Sequence, residues 1–179
     1  MKKILEGIWL FMRYGPCKVV EWREQASCDA LTGLRNRTLF CEVARHELAM
    51  AARNASPVAV LLIDINDFKQ INDAEGHQAG DHVLRDTAKI LTHICRREVD
   101  LVARWGGDEF VVLLPQTDLP KARELAQRIN TAEIMSPKGR RVTLSCGASV
   151  KHMKNVSLEC LIDEADREMY AQKRPKQKA

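Results

Sequence analysis

Arg104-Trp-Gly-Gly-Asp-Glu-Phe110 is the stretch that decides the fold. It places two adjacent glycines before two acids, and the apolar run Phe110-Val-Val-Leu-Leu114 follows at once. Glycines allow a tight turn or the close approach of another group, and a short apolar run bounded by turn signals is typical of a buried strand. The pattern predicts a hairpin of two strands, roughly Leu101–Trp105 and Glu109–Leu114. Taken alone, it is equally consistent with a turn whose acids are merely solvated.

The composition is that of one soluble globular domain. The chain has 179 residues, of which 45% are hydrophobic and 29% charged, so its core needs no disulfide or structural metal. The six cysteines include no closely spaced pair. This argues against zinc and redox motifs and favours buried free thiols in a reducing cytoplasm.

The net charge of +4 is concentrated at the two ends of the chain. Residues 1–26 carry five Lys/Arg against three Asp/Glu, and residues 173–179 carry four Lys/Arg and no acid, so residues 27–172 have a net charge of −2. This distribution argues against a nucleic-acid-binding body. The apolar run Ile4–Met12 is too short to cross a bilayer, and no signal-peptide cleavage site follows it. An ordinary docking helix is favoured over one that dimerises or contacts a membrane.

Hydrophobic periodicity predicts the remaining helices and strands. The predicted helices start at Asn36 (with Leu39, Val43 and Leu48 on one face, ending at Asn54–Pro57), after Gly80-Asp81, around Ala122–Ile129 and around Leu158–Met169. The predicted strands are Val58–Ile63, covered on both faces, and Val142–Val150, which alternates and is therefore half-buried. Helices and strands interleave around an antiparallel hairpin, so the fold class is α+β, or α/β with a mixed sheet.

Asp64 directly follows the apolar strand Val58–Ile63, at the end of a strand, where open sheets usually bind ligands. A helix cap or a turn is the simpler interpretation of a single acid there. If the glycine hairpin is the neighbouring element, Asp64 converges with Asp108 or Glu109, and such carboxylates repel each other unless a cation lies between them. Magnesium favours one or two carboxylates plus substrate phosphates. The pattern therefore predicts metal-dependent nucleotidyl transfer.

The segment Asp64–Asp81 adds groups that suit a nucleotide. Lys69 would neutralise phosphate charge, and Asn72 and Asp81 would read a base, because a carboxylate accepts hydrogen bonds from the guanine N1–H and N2–H₂ groups. Turn chemistry or a solvated charge explains each residue equally well by itself. Their density within one segment favours the nucleotide interpretation.

Several longer motifs, in the same order, resemble those of the GGDEF-domain diguanylate cyclases. The resemblance extends from about Asp29 to Lys173, and it rests on the segments Asp29–Arg37, Asp64–Asp81, Arg104–Phe110 and Ser145–Ala148, and on Ala165-Asp166 with Tyr170 and Lys173. It implies a central mixed, largely antiparallel sheet wrapped by helices, similar to the palm of nucleotidyl cyclases and polymerases. The implied domains are a helical leader at 1–26, the GGDEF domain at 27–174 and a basic tail at 175–179.

The resemblance also implies an activity and the residues that perform it. Two GTP molecules condense into cyclic di-GMP and two pyrophosphates across a homodimer. Asp64, the Ile65 carbonyl and Asp108 would hold magnesium or manganese, with Glu109 in the same cluster. Asp108 would accept the proton of the 3′-hydroxyl, and Lys69 would stabilise transition-state charge. The implied substrate-binding positions are Asn72, His77, Asp81, Gly106, Gly107 and Lys173.

A second motif implies feedback by the product. Arg97-Glu-Val-Asp100 lies before the signature at the spacing of the family's RxxD inhibitory site. An arginine and an aspartate suit the guanine edges and phosphates of cyclic di-GMP, and Arg128 matches a secondary contact. The simpler interpretation is a surface salt bridge between Arg97 and Asp100, which contributes little.

Two positions depart from the family pattern. Asn66 stands where many members have a second acid, although this is not a ligand position. Gln177 replaces an arginine that helps to hold the phosphates.

Other interpretations stay open at this point. One is a non-catalytic domain that binds GTP or cyclic di-GMP, although the signature is intact. A cyclase that makes an adenine or mixed dinucleotide is disfavoured by Asp81. A pure dimerisation module would not require Asp64, Lys69 and Asp108 together.

Overall fold

The structure, a computed structural model, describes residues 27–96, 98–151 and 157–173. The predicted leader, Arg97 and the tail that contains Gln177 lie outside these ranges. The strands are β1 (Arg35–Asn36), β2 (Val58–Ile65), β3 (Leu101–Gly106), β4 (Glu109–Pro115), β5 (Glu133–Met135) and β6 (Arg141–Lys151). The helices are α1 (Arg37–Asn54), α2 (Phe68–Glu75), α3 (His77–Ile94), α4 (Leu119–Asn130) and α5 (Leu158–Lys173).

In the described ranges the strands form one six-stranded sheet in the order β1-β3-β4-β2-β6-β5. Only the short pair β1–β3 is parallel, and the other pairs are antiparallel. This confirms the antiparallel hairpin that the two glycines predicted and the mixed, largely antiparallel sheet that the family resemblance implied. β2 is central because its apolar residues are buried on both faces, as expected of a strand that is covered on both sides.

The two faces of the sheet carry separate cores. Ala59, Leu61 and Ile63 point to one face, which α2, α3 and α4 cover, whereas Val60 and Leu62 point to the other, which α1 and α5 cover. This division follows from the side-chain alternation of a strand. Among the described residues, no helix has both the length and the apolar character that a membrane crossing requires.

The helical segment after β2 differs from the sequence prediction. A helix was expected only after Gly80, whereas α3 begins at His77 and a separate helix, α2, precedes it. The polar residues of α2 resemble a turn, but its single fully buried side chain, Ile71, docks on the core. Gly80 is a packing residue, because a Cβ atom there would overlap the Asn72 side chain. This contact joins α2 to α3.

The burial of α1 and β6 also differs from the prediction. The fully buried residues of α1 are Phe40, Ala44 and Ala51, rather than the predicted Leu39, Val43 and Leu48, of which Val43 and Leu48 pack only at the edge of the core. β6 is buried on both faces rather than half-buried, because α5 packs against Gly147 and Ser149. A Cβ atom on Gly147 would overlap the backbone of α5. The alternation of β6 was a correct sign of a strand but not of solvent exposure.

The cysteines follow the prediction only in part. Cys95 and Cys146 are buried free thiols, and burial raises the pKa of Cys95 to about 12 and that of Cys146 well above its usual range. Cys28 and Cys160 are exposed, so the expectation of buried thiols was wrong for these two.

Candidate functional site

The register of β2 against β4 brings the predicted acids together. Asp64 lies directly opposite Glu109 in the antiparallel pair. The Ile65 N–H donates to the carbonyl of Asp108 at 3.4 Å, which ties the tip of the hairpin to the end of β2. The glycine hairpin is therefore the neighbour of the Asp64 strand, as the interpretation of the site required.

The electrostatics of this cluster favour an added cation. Burial raises the pKa of Asp64 above its ordinary value, and the nearby charges of Asp108 and Asp166 raise it further, against the opposing effect of Lys173. Burial likewise raises the pKa of Glu109, and Asp64, Asp108 and Asp166 add to the shift. Carboxylates that repel each other in this way are stabilised by a cation between them.

Asp166 belongs to one of the motifs that carry the family resemblance, but the sequence predicted no function for it. It lies on α5, and its charge acts on both Asp64 and Glu109. Asp166 is an exposed helical residue, and no pattern in the sequence indicates that it lies near the other acids.

Lys173, at the end of α5, makes the closest contact with the cluster. Its Nζ lies 2.6 Å from Oδ1 of Asp64, and the two side chains are only 25% and 16% exposed. The family resemblance implied a substrate-binding role for Lys173. In the structure its ammonium group contacts a carboxylate that was predicted to bind metal.

The donor set fits a magnesium-type ion that a substrate completes. Across the described ranges, no three His, Cys, Asp or Glu side chains come close enough to form a metal cage by themselves. Magnesium does not need such a cage, since it usually binds one or two carboxylates together with phosphates and water. Asp64 and Glu109 on paired strands, with Asp108 at the adjacent turn, supply hard oxygen donors of this kind.

The hairpin tip is held by a contact that the sequence reading missed. Arg104 donates two hydrogen bonds to the Gly107 carbonyl, at 2.7 and 3.1 Å, and two to the Asp29 carboxylate, both at 3.1 Å. Although burial raises the pKa of Asp29, hydrogen bonds from Thr32 and Arg104 lower it overall. Asp29 and Arg104 were both quoted as motif residues, but their proximity depends on the parallel pairing of β1 with β3.

The two glycines leave open space beside the acids. Gly107 has a φ of 54°, a left-handed conformation that glycine adopts without strain. A Cβ atom at Gly106 or Gly107 would meet no protein atom within 4 Å. The protein does not fill this space, so the surface of the hairpin is accessible to a ligand backbone or phosphate.

The predicted base-reading residues lie on α2 and α3. The Asn72 side chain packs over Gly80, and Asp81 is the next residue of α3. Asp81 is half-buried, and its carboxylate lies 4.0 Å from Arg85 in a weak ion pair. Lys69 and His77 are exposed. The structure thus places Asn72 and Asp81 on two helices joined by one tight contact.

Asn66 acts as a structural residue beside the cluster. Ser145 donates to its amide oxygen at 2.7 Å, and its amide nitrogen donates to the Thr143 hydroxyl at 2.9 Å. An aspartate at this position would have no donor for Thr143. Asn66 therefore has a structural role here, which fits the expectation that this position does not bind the metal.

Asp100, one of the predicted inhibitory residues, directly precedes β3, at the end of this strand opposite the hairpin turn. Asp100 is buried, and its carboxylate accepts from the Arg96 backbone N–H at 2.7 Å and from the Arg96 guanidinium at 2.7 to 3.2 Å. Arg97, the expected partner, lies outside the described residues. Arg128 lines a shallow cavity of about 200 Å³ together with Arg96 and Lys121. Asp100 is therefore already paired, a contact that the RxxD pattern did not reveal.

Comparison with known proteins places this geometry in context. Residues 26–179 match the family profile described as "Diguanylate cyclase, GGDEF domain". The chain is 38% identical over 156 residues to diguanylate cyclase DgcP of Pseudomonas aeruginosa, covering 85% of this chain and 23% of the relative. It is 39% identical over 158 residues to response regulator PleD of Caulobacter vibrioides, covering 84% and 34%. It thus spans only a quarter to a third of these relatives.

A solved structure shares the fold at similar coverage. The GGDEF domain of DgcB from Caulobacter crescentus, solved in complex with c-di-GMP, superposes with a TM-score of 0.74 at 27% sequence identity. The superposition covers 84% of this chain and 89% of that one.

Proposed function

Because the chain belongs to the GGDEF-domain family, we propose that it is a diguanylate cyclase that condenses two GTP molecules into cyclic di-GMP and two pyrophosphates. The observation that carries this proposal is the pairing of Asp64 with Glu109 beside the open glycine turn. This pairing places two carboxylates next to the unfilled space at the glycine turn. That combination suits a metal-bound triphosphate better than a structural turn.

The carboxylates would hold a divalent cation, magnesium or manganese. Asp64, the Ile65 carbonyl and Asp108 are the proposed ligands, with Glu109 in support. When bound, such a cation neutralises the triphosphate and the carboxylates and polarises the phosphorus–oxygen bonds of the α-phosphate.

The chain's own residues would then position and deprotonate the nucleophile. Asp108 accepts the proton of the 3′-hydroxyl of one GTP, and the freed oxygen bonds to the α-phosphorus of the other while the bond to pyrophosphate breaks. Lys69 stabilises the charge that accumulates on the transferring phosphoryl group. A second, equivalent transfer closes the ring.

Guanine would be selected by Asn72 and Asp81, with His77 at the start of α3 as a further nucleotide contact. A carboxylate at Asp81 accepts from guanine N1–H and N2–H₂, whereas adenine has no matching pair of donors at that edge. The contact between Asn72 and Gly80 supports this role, because it holds the two reading residues on helices of fixed relative position.

Each subunit would hold one GTP, so catalysis requires two subunits facing each other. One exposed cluster cannot bring a 3′-hydroxyl and an α-phosphate from separate nucleotides together by itself. We therefore propose a homodimer as the active species.

Product formation tests this proposal directly. The full chain is incubated with GTP and magnesium, and the product is identified by mass spectrometry. Asp108→Asn should lower the rate by about 10²- to 10⁴-fold, the usual contribution of a general base. Asp86→Asn, at a half-buried acid on α3 that pairs with Lys89, is the matched control and should retain full activity. If the wild type binds GTP but makes no product, the chain is a non-catalytic receptor instead.

Feedback by the product is proposed through Arg97, Asp100 and Arg128. The cavity lined by Arg96, Lys121 and Arg128 supports it, because it offers cations to a phosphate. Cyclic di-GMP should bind the GTP-free protein and slow turnover non-competitively. Arg97→Ala should remove both effects and spare the initial rate, whereas Arg123→Ala, a surface arginine paired with Glu168, should change neither. If cyclic di-GMP inhibits Arg97→Ala as strongly as the wild type, the motif does not bind the product and forms only a structural salt bridge.

A further inference from the structure

Lys173 contacts a carboxylate that the proposed function assigns to a divalent cation. Its ammonium group lies 2.6 Å from Oδ1 of Asp64, which is the length of a strong charge-assisted hydrogen bond. Both side chains are mostly shielded from water, so the attraction is screened less than in an exposed ion pair. Lys173 is thus the counter-ion of Asp64 in this structure.

Packing of α5 fixes the place from which Lys173 reaches the carboxylate. Gly147 lets the backbone of α5 lie directly against β6, and β6 pairs with β2 so that Ser145 stands opposite Asp64. Gln172 accepts a hydrogen bond from Asn130 on α4 at 3.2 Å, which holds the last turn of the helix. The backbone of Lys173 is therefore anchored, whereas its side chain has several rotatable bonds through which it can change partner.

The same carboxylate cannot serve both cations at full strength. A lysine ammonium contributes one positive charge and a divalent ion two, and at close range the two cations would repel each other. Binding of a metal at Asp64 therefore favours movement of Lys173 to another anion.

We propose that Lys173 acts as a latch on Asp64, so that the site binds a divalent cation tightly only together with a nucleoside triphosphate, whose phosphates give Lys173 a new anionic partner. This inference rests on the metal site of the proposed function and adds the coupling between metal and nucleotide. By linkage, the metal must raise the affinity for the triphosphate by the same factor. Lys173 would thereby keep the site from filling with free cations between turnovers.

Direct measurement of metal binding tests the latch without reference to activity. Free Mn²⁺ is followed by electron paramagnetic resonance during titration of the full chain without nucleotide. Lys173→Met should bind Mn²⁺ about tenfold more tightly than the wild type, which is the scale expected when a cation is removed from a partly buried carboxylate. Lys173→Arg, which retains the charge, should stay close to the wild type.

The matched control is Lys151→Met. Lys151 lies 2.7 Å from Glu164, and both side chains are 33% exposed, so it forms an ion pair of nearly the same length outside the site. Its removal should leave the Mn²⁺ affinity unchanged. Thermal unfolding of each variant verifies that it is folded before titration.

Addition of a GTP analogue with an α,β-methylene bridge completes the test. It should tighten Mn²⁺ binding by the wild type far more than binding by Lys173→Met. Equal Mn²⁺ affinities of wild type and Lys173→Met without nucleotide would overturn the latch, even if the wild type makes cyclic di-GMP. A second variant separates this outcome from failure of the proposed function. If Asp64→Asn in the Lys173→Met background leaves Mn²⁺ binding unchanged, Asp64 is not a metal ligand, and the metal site of the proposed function is contradicted.

Discussion

The folded protein disfavours the ionised form of the Glu109 carboxyl group. Burial and the carboxylates of Asp64, Asp108 and Asp166 raise its pKa, so the folded protein binds its proton more tightly than the unfolded chain does. A raised folded-state pKa contributes stability that is present at low pH and is lost as pH rises through the carboxyl range. Stability at neutral pH is therefore reduced by this group.

Glu109→Gln should for this reason stabilise the metal-free protein at pH 7. We expect a gain of about 0.5–1 kcal/mol, discounted for partial exposure, which corresponds to roughly 1–4 °C in Tm. The gain should shrink towards pH 4, where the wild-type carboxyl becomes protonated. Thermal unfolding at both pH values with a chelator present measures it, and Glu124→Gln on the exposed face of α4 is the control. A lower Tm of Glu109→Gln than of the wild type at pH 7 would contradict the proposed repulsion between Glu109 and its neighbouring carboxylates.

Asp81 is the residue whose substitution should change substrate choice. Asp81→Ser removes the acceptor for guanine N1–H and N2–H₂, so the preference for GTP over ATP in kcat/KM should fall by about 10- to 100-fold, the worth of a paired hydrogen-bond contact to a base edge. Competition assays with both nucleotides measure it. Asp86→Ser, on the same helix, should keep the wild-type preference. An unchanged preference in Asp81→Ser means that the base is read by other residues.

At the scale of elements, the contact between α5 and β6 is the most sensitive to side-chain size. A Cβ atom at Gly147 would overlap the backbone of Ala165 and Met169, so Gly147→Ala must displace the helix. We expect a cost of about 1–3 kcal/mol, typical of overpacking, and reduced activity because Lys173 moves with α5. Thermal unfolding and the rate of product formation measure the two effects.

Gly106→Ala is the matched comparison for that substitution. A methyl group at Gly106 meets no protein atom within 4 Å, so stability should change little. Activity should fall nevertheless, because the methyl group would occupy the space proposed for the nucleotide. Full activity in Gly106→Ala would show that the nucleotide does not lie against this glycine.

The elements themselves were predictable where burial follows a simple period. β2, the β3–β4 hairpin, α1, α4 and α5 match their predicted positions to within a few residues, since apolar residues repeat at the spacing of each element. α2 was missed because only Ile71 and the partly buried Phe68 attach a segment of turn-forming residues to the core. The two-residue β1 and three-residue β5 are defined by their partners rather than by their own pattern.

At the scale of the whole molecule, the proposed reaction depends on association. If two subunits must each present one GTP, the specific activity should rise with protein concentration and level off once the dimer is saturated. Initial rates over a hundredfold dilution series, compared with the mass measured by sedimentation, test this dependence. A specific activity that stays constant while the protein is monomeric would contradict catalysis across a dimer.

The sequence alone determined the order of most elements, the mixed sheet and the identity of the acids at the end of β2 and the turn of the hairpin. These follow from local patterns: apolar periodicity, paired glycines and motif residues close together in the chain. The tertiary structure alone decided that Lys173 holds Asp64, that Arg104 joins Asp29 to the Gly107 carbonyl and that Arg96 holds Asp100. The contacts of Lys173 and Arg104 join residues far apart in the chain, so strand register and the seating of α5 over Gly147 set their geometry. Arg96 is only four residues from Asp100, but it also donates to the carbonyl of Pro115, at the end of β4, and to the hydroxyl of Thr117.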